Sequence, residues 1–222
     1  MKPRSHLAVR PIRLARATLA ALALLAPSGA RAAGDHGFQL EFRGVGSQPI
    51  GKYYSYGVSA SDVVGFGGNA SGRALVGLNR RYSIGVDFAY LKNAKDIMAD
   101  VDPRPFVTRL ASVRNTLVAI PVDLLIERRT DTHQRVSGYL QSGFGITTFQ
   151  RRVTGPFPPF TRTQQALSWM VGLGTQVGMG RDFEVVAGAD YRQSVTTPGD
   201  IWTTWDNPKY VVWSLGMRYP RW

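Results

Sequence analysis

Residues 82–91 read Tyr-Ser-Ile-Gly-Val-Asp-Phe-Ala-Tyr-Leu, and this stretch decides the fold. One phase holds Tyr82, Ile84, Val86, Phe88 and Tyr90; the other holds Ser83, Gly85, Asp87, Ala89 and Leu91. Bulky apolar residues at every second position, against small or polar ones between them, describe a β-strand with unlike faces, because successive strand side chains point to opposite sides. A helix would gather its apolar residues at spacings of three and four instead.

The same period recurs along the chain. Val211, Trp213, Leu215, Met217 and Tyr219 oppose Val212, Ser214, Gly216 and Arg218 in the last segment. Phe183, Val185, Ala187, Ala189 and Tyr191 oppose Glu184, Val186, Gly188, Asp190 and Arg192. Leu167, Trp169, Val171, Leu173 and Val177 oppose Ser168, Gly172, Gly174, Gln176 and Gly178. Phe38, Leu40 and Phe42 oppose Gln39, Glu41 and Arg43, and Val118 to Ile126 alternate around Ala119, Pro121 and Asp123. Pro121 has no N–H, so it leaves one ladder position without a donor. Two further segments, 72–79 and 135–148, alternate more weakly, which makes eight.

A soluble sandwich alternates too, but its outer face carries the polar density of a surface in water. Here the second face is mostly Gly, Ser, Ala and Gln with occasional charges. Small residues suit the crowded interior of an eight-stranded barrel, and the bulky face then meets lipid. Long links (46–71, 92–111, 149–163, 194–209) alternate with short ones (79–81, 127–134, 179–182). That is the spacing of an up-and-down antiparallel transmembrane β-barrel with extracellular loops and periplasmic turns. The expected fold is therefore all-β, an eight-stranded barrel over residues 33–222.

Residues 1–32 read as a cleaved signal peptide. A basic stretch is followed by the apolar run Ala17–Ala26, a break at Pro27-Ser28-Gly29, and the small-residue site Ala30-Arg31-Ala32. Export to the bacterial outer membrane is the expectation. The chain carries 27 Lys and Arg against 15 Asp and Glu, a net +12. Six of the bases lie in the leader, so half the excess leaves with it, and a nucleic-acid partner loses its main support. There is no Cys, which excludes disulfides and thiolate metal sites.

The segments SWMVGLGTQVGMGRDFEVVAGADYRQS (168–194) and KYVVWSLGMRYPRW (209–222) resemble the small outer-membrane β-barrel superfamily, of the OmpA transmembrane domain, OmpX and opacity-protein type. The resemblance implies an eight-stranded barrel, insertion by the outer-membrane assembly machinery, and a role in adhesion, interaction or envelope integrity. Relatives of this kind end on an aromatic in phase with the lipid face. Tyr219 is in phase, while Trp222, after Pro220, is not.

On the inward phase lie Glu41, Arg43, Asp87, Asp123, Arg135, Glu184, Asp190, Arg192 and Arg218. They form either a polar path for ions or a paired network that plugs the barrel, and the narrow lumen favours the plug. Glu184 and Arg218 are expected low in the lumen on neighbouring strands, paired directly or through a network with Glu41. Aromatic girdles are expected from Tyr82 and Tyr219 at the periplasmic interface, and from Tyr90, Tyr210 and Trp213 at the outer one. No catalytic, cofactor or metal site is expected. His36 and His133 lack the His-x-Ser spacing of lipid A deacylases. The expected partners are outer-membrane lipid and lipopolysaccharide, through bases such as Arg104, Arg109, Arg151, Arg152 and Arg162, the assembly machinery, and an extracellular ligand the sequence does not name. The functional expectation is a non-enzymatic surface protein. A small pore is the alternative, and a lipid A-modifying enzyme stands behind both.

Overall fold

Eight strands follow one another: β1 (Phe38–Ile50), β2 (Gly67–Gly77), β3 (Tyr82–Asp100), β4 (Leu110–Arg129), β5 (Val136–Thr154), β6 (Phe160–Met179), β7 (Phe183–Ser194) and β8 (Lys209–Tyr219). A short helix, α1 (Ala60–Val64), lies between β1 and β2. The computed structural model describes residues 37–51, 60–79, 81–100, 110–130, 135–156, 158–179, 183–195 and 208–219. The proposed leader, His36, His133, Arg104, Arg109, Pro220 and Trp222 lie outside these residues. Each strand pairs antiparallel with the next, and β8 pairs with β1, so the barrel is closed in up-and-down order. The fold class read from the alternation is the one the chain adopts.

The barrel is staggered. Following ladder partners around the wall from Gln39 leads through Leu75, Gly85, Leu125, Gly143, Met170, Arg192 and Tyr210 to Pro49, well along β1 from the start. Strands tilt as a closed sheet requires, and side chains far apart in sequence are thereby brought to one level of the lumen.

The two phases face as their chemistry demands in lipid. Phe42, Phe144 and Leu215 are 69%, 66% and 63% exposed on the outside, whereas Gln39, Glu41 and Asp87 are fully buried inside. In water such a molecule would be inside out; in a bilayer the apolar wall faces hydrocarbon and every backbone group is satisfied by the closed ladder. Pairing between β3 and β4 lapses at Ala89 and Tyr90, opposite Pro121 and Ile120, and resumes in the same register. The missing N–H of Pro121 thus costs a local gap and no slip.

Strand lengths are unequal. β3 to β6 have 19, 20, 19 and 20 residues, while β1, β2, β7 and β8 have 13, 11, 12 and 11. About 9–11 residues suffice to cross the hydrocarbon. The surplus continues the ladder from the loop end as a four-stranded extension. This corrects three of the expected long links. Much of 92–111 and 149–163 is strand, and 46–71 contributes the end of β1, α1 and the start of β2. Beyond the apolar band the outward residues are polar like the inward ones, so the alternation that reveals a strand fades there.

A closed ladder offers no edge from which to unravel. The chain of residues 33–222 refolded in detergent is expected to migrate faster on SDS gels unheated than boiled, with a far-ultraviolet spectrum of β type. A helix-dominated spectrum, or solubility of that chain without detergent, would contradict the architecture.

Candidate functional site

The interior is the most highly organised part of the described molecule, and it is built in three levels. At the end bearing the short turns, Arg218 on β8 is fully buried. Its Nε donates to Glu41 Oε2 at 2.7 Å, and its two Nη atoms donate to the two Glu127 oxygens at 2.8 and 2.6 Å. Nη1 also reaches Gln176 Oε1 at 2.9 Å. A guanidinium fork on a carboxylate is among the stronger charge-assisted pairings. Glu184 stands opposite Arg218 in the β7–β8 ladder, so the expected neighbourhood is present, with Glu127 as a carboxylate partner the sequence reading missed. Arg129 Nη2 donates to Gln39 Oε1 at 2.6 Å, and Arg43 pairs with Glu41.

Tyr139 rises from β5 into this level, with the Arg43 and Arg218 guanidinium carbons 5.8 and 5.7 Å from its ring centroid. Both are within cation–π range. The small inward face of β6 and β7 has its reason here: a Cβ at Gly174 or Gly188 would overlap the Tyr139 side chain.

In the middle level, Arg73 on β2 donates from Nε to Asp87 at 2.6 Å and from Nη2 to Asp190 at 3.2 Å, and it also bonds Gln141. Arg192 pairs with both Asp87 and Asp123. Thr147 Oγ1 donates to Ser168 Oγ at 2.8 Å. Among the described residues, the buried charges of the two levels are six carboxylates and five guanidiniums, close to balance. Such a balance offsets the desolvation that isolated charges would suffer.

The upper level is apolar. Leu91, Leu117, Ala119, Phe149, Tyr210 and Val212 cluster with Ala60 and Val64 of α1. Phe149 and Tyr210 stack with centroids 6.1 Å apart. Side chains of the wall hold α1 and the residue after it in place. Asn93 Nδ2 donates to the Ser47 and Gly65 carbonyls at 2.9 and 3.2 Å, Asn115 Nδ2 to Val63 at 3.2 Å, and Lys95 Nζ to Ser61 at 3.3 Å. Gly65, at φ 74°, supplies the left-handed turn by which the chain leaves the helix. Phe66 then lies exposed on the outer wall, 6.2 Å from the Trp213 ring. Between the middle and upper levels a cavity of about 10 Å³ remains, bordered by Arg192, Ser168 and Phe149 among others. That is room for about one water.

Of the site residues expected from sequence, Glu41, Arg43, Asp87, Asp123, Glu184, Asp190, Arg192 and Arg218 are buried in the lumen. Two expectations are corrected. Arg135 precedes β5 and is exposed, its Nε donating to the Gly178 carbonyl at 3.3 Å, because the strand begins one residue later than the alternation suggested. Tyr210 is not a girdle residue. It is 3% exposed, on the inward phase of Val212 and Ser214, and it stacks on Phe149 inside the barrel. Tyr82, Trp213 and Tyr219 are exposed on the wall, and Tyr90 is half-buried on the outward phase. Arg73, Glu127, Arg129 and Tyr139 were missed.

A family model, the outer membrane protein beta-barrel domain, matches residues 17–220. Among solved structures, the Neisserial surface protein A, from Neisseria, superposes with a TM-score of 0.51 at 17% identity, covering 84% of this chain and 99% of that one. Ail, the attachment invasion locus protein of Yersinia pestis, gives 0.49 at 15% identity, with 84% and 97% covered. The outer membrane protein OprG of Pseudomonas aeruginosa gives 0.49 at 10% identity, with 84% and 96% covered. At these identities a likeness concerns fold alone. Among curated proteins none matches the chain.

Proposed function

The chain belongs to the outer membrane protein beta-barrel family, and from that premise we propose that it is a non-enzymatic surface protein with a shut lumen. The projecting ends of β3–β6 then serve adhesion or another surface contact, and residues 1–32 serve export. The observation that carries this reading is the stack of closures inside one narrow barrel: a charge-paired level around Arg218, a second around Arg73 and Arg192, and an apolar level under α1. An aqueous pore needs a continuous wet path, and eight strands leave little space beyond their own side chains. Glu41, Asp87, Asp123, Glu127 and Asp190 are tied to arginines, which supports a structural role for them over acid–base chemistry. Outer-membrane lipid and lipopolysaccharide would surround the apolar wall, and the assembly machinery would insert it.

Mature protein refolded into planar bilayers is expected to give no steady conductance steps. Steady steps in the unaltered protein would overturn the closed reading and favour the pore. For the surface role, cells displaying the full protein are expected to attach to matrix-coated surfaces better than cells whose β3–β4 and β5–β6 extensions are trimmed to short turns. Equal attachment by the two would remove the extension from the account.

A further inference from the structure

On the outer wall, where β3, β4 and β5 leave the apolar band, their side chains enclose an open recess of about 510 Å³. Lys92, Arg114 and Arg152 line it, each exposed and each from a different strand. Thr116 and Gln150 add neutral hydrogen-bonding groups, and Tyr90 borders it. Ladder register explains the gathering. Lys92 pairs with Val118 and Val118 with Gln150, while Thr116 pairs with Arg152 and Arg114 with Thr154. The lining contains no acid. Asp96, on the same face, is the ladder partner of Arg114 and is not among the lining residues. Three cations from three strands, with donors between them and no carboxylate in the lining, form a site for a multiply charged oxyanion.

Depth identifies the source of that anion. The row beneath the recess is apolar and faces outward: Phe88 pairs with Val122, Val122 with Ile146, and Ile146 with Leu167. The recess starts one turn of the pleat above that row, at the end away from the short turns. In the outer leaflet of the outer membrane, this is the level of phosphorylated lipid headgroups. Basic pockets at headgroup depth hold such groups by charge-assisted hydrogen bonds. We infer that the β3–β5 recess binds the phosphates of a lipid A-type glycolipid, with Lys92, Arg114 and Arg152 as the recognising cations. This inference rests on the outer-membrane reading above and adds to it an address on the wall and the phosphates as the group recognised there.

The test uses mature protein in a maltoside detergent, which contains no phosphate of its own. It is titrated with bisphosphorylated lipid A, with enzymatically dephosphorylated lipid A, and with inorganic phosphate. Saturable binding of the bisphosphorylated form is expected, weakened about tenfold or more in the triple variant Lys92→Gln, Arg114→Gln, Arg152→Gln. The variant Arg81→Gln, Arg128→Gln, at the opposite end of β3 and β4, is expected to bind like the unaltered protein. Equal binding of the phosphorylated and dephosphorylated lipids, or by the triple variant and the unaltered protein, would overturn the site. Competition by millimolar inorganic phosphate would overturn its assignment to a lipid. The gel shift on boiling and the bilayer conductance, measured on the same samples, report the barrel and its closure separately.

Discussion

Replacing Arg218 with Gln is expected to cost about 3–5 kcal/mol of stability, measured as reversible urea unfolding in lipid vesicles. The side chain is fully buried and bonds Glu41, Glu127 and Gln176. Removing it leaves two carboxylates in the lumen without their shared cation, and most of the loss comes from that stranding. The companion change Glu127→Gln removes one of the stranded charges. A double-mutant cycle of the two should therefore show a coupling of about 1–3 kcal/mol. Strict additivity would mean that the fork between Arg218 and Glu127 does not form in the bilayer.

That network shows where sequence reasoning reaches and where it stops. The inward phase of β1, β7 and β8 was legible because bulky lipid-facing residues mark the alternate positions: Leu40 and Phe42, Val185, Leu215 and Met217. Arg73 was hidden because its neighbours on β2, Gly72 and Ala74, are small, so neither face of that strand stands out. Glu127 and Arg129 were hidden in the run Glu127-Arg128-Arg129-Thr130, which reads as a charged turn. In the barrel the run alternates: Glu127 and Arg129 are buried and Arg128 is exposed. Parity with Asp123 and Leu125 was the available signal.

Tyr210 teaches the same lesson in the other direction. It lies three residues from Trp213, an odd separation, so one of the two had to face inward. Counting the phase from Val212 and Ser214 assigns Tyr210 to the lumen. The strand extensions were illegible for a physical reason. A period of two is legible where the two faces differ in residue type, and beyond the apolar band the outward Lys92, Asp96 and Arg114 are polar like the inward Asn93 and Asn115, so no contrast marks the phase. The helix α1 has five residues, too few to show a period, and its place is set by Asn93, Asn115 and Lys95 from strands distant in sequence.

The apolar band supplies the second large effect. Phe88 lies on the outward phase of β3, between Gly72 on β2 and Val122 on β4. Gly72 in turn pairs with Phe42, so the two phenylalanines flank a residue without a side chain. In hydrocarbon this arrangement buries aromatic surface against lipid. Phe88→Arg places a guanidinium in the upper part of the apolar band, at a cost below the about 2–4 kcal/mol of the midplane but above the about 0–1 kcal/mol of the interface. Phe88→Leu keeps the position apolar and should change stability by much less, since hydrocarbon accepts either side chain. Folding yield into vesicles, read by the gel shift, and the urea midpoint of the folded fraction should separate the two variants clearly. If Arg is tolerated as well as Leu, Phe88 does not face lipid, and the phase of the whole ladder row through Phe42, Val122 and Ile146 is wrong with it.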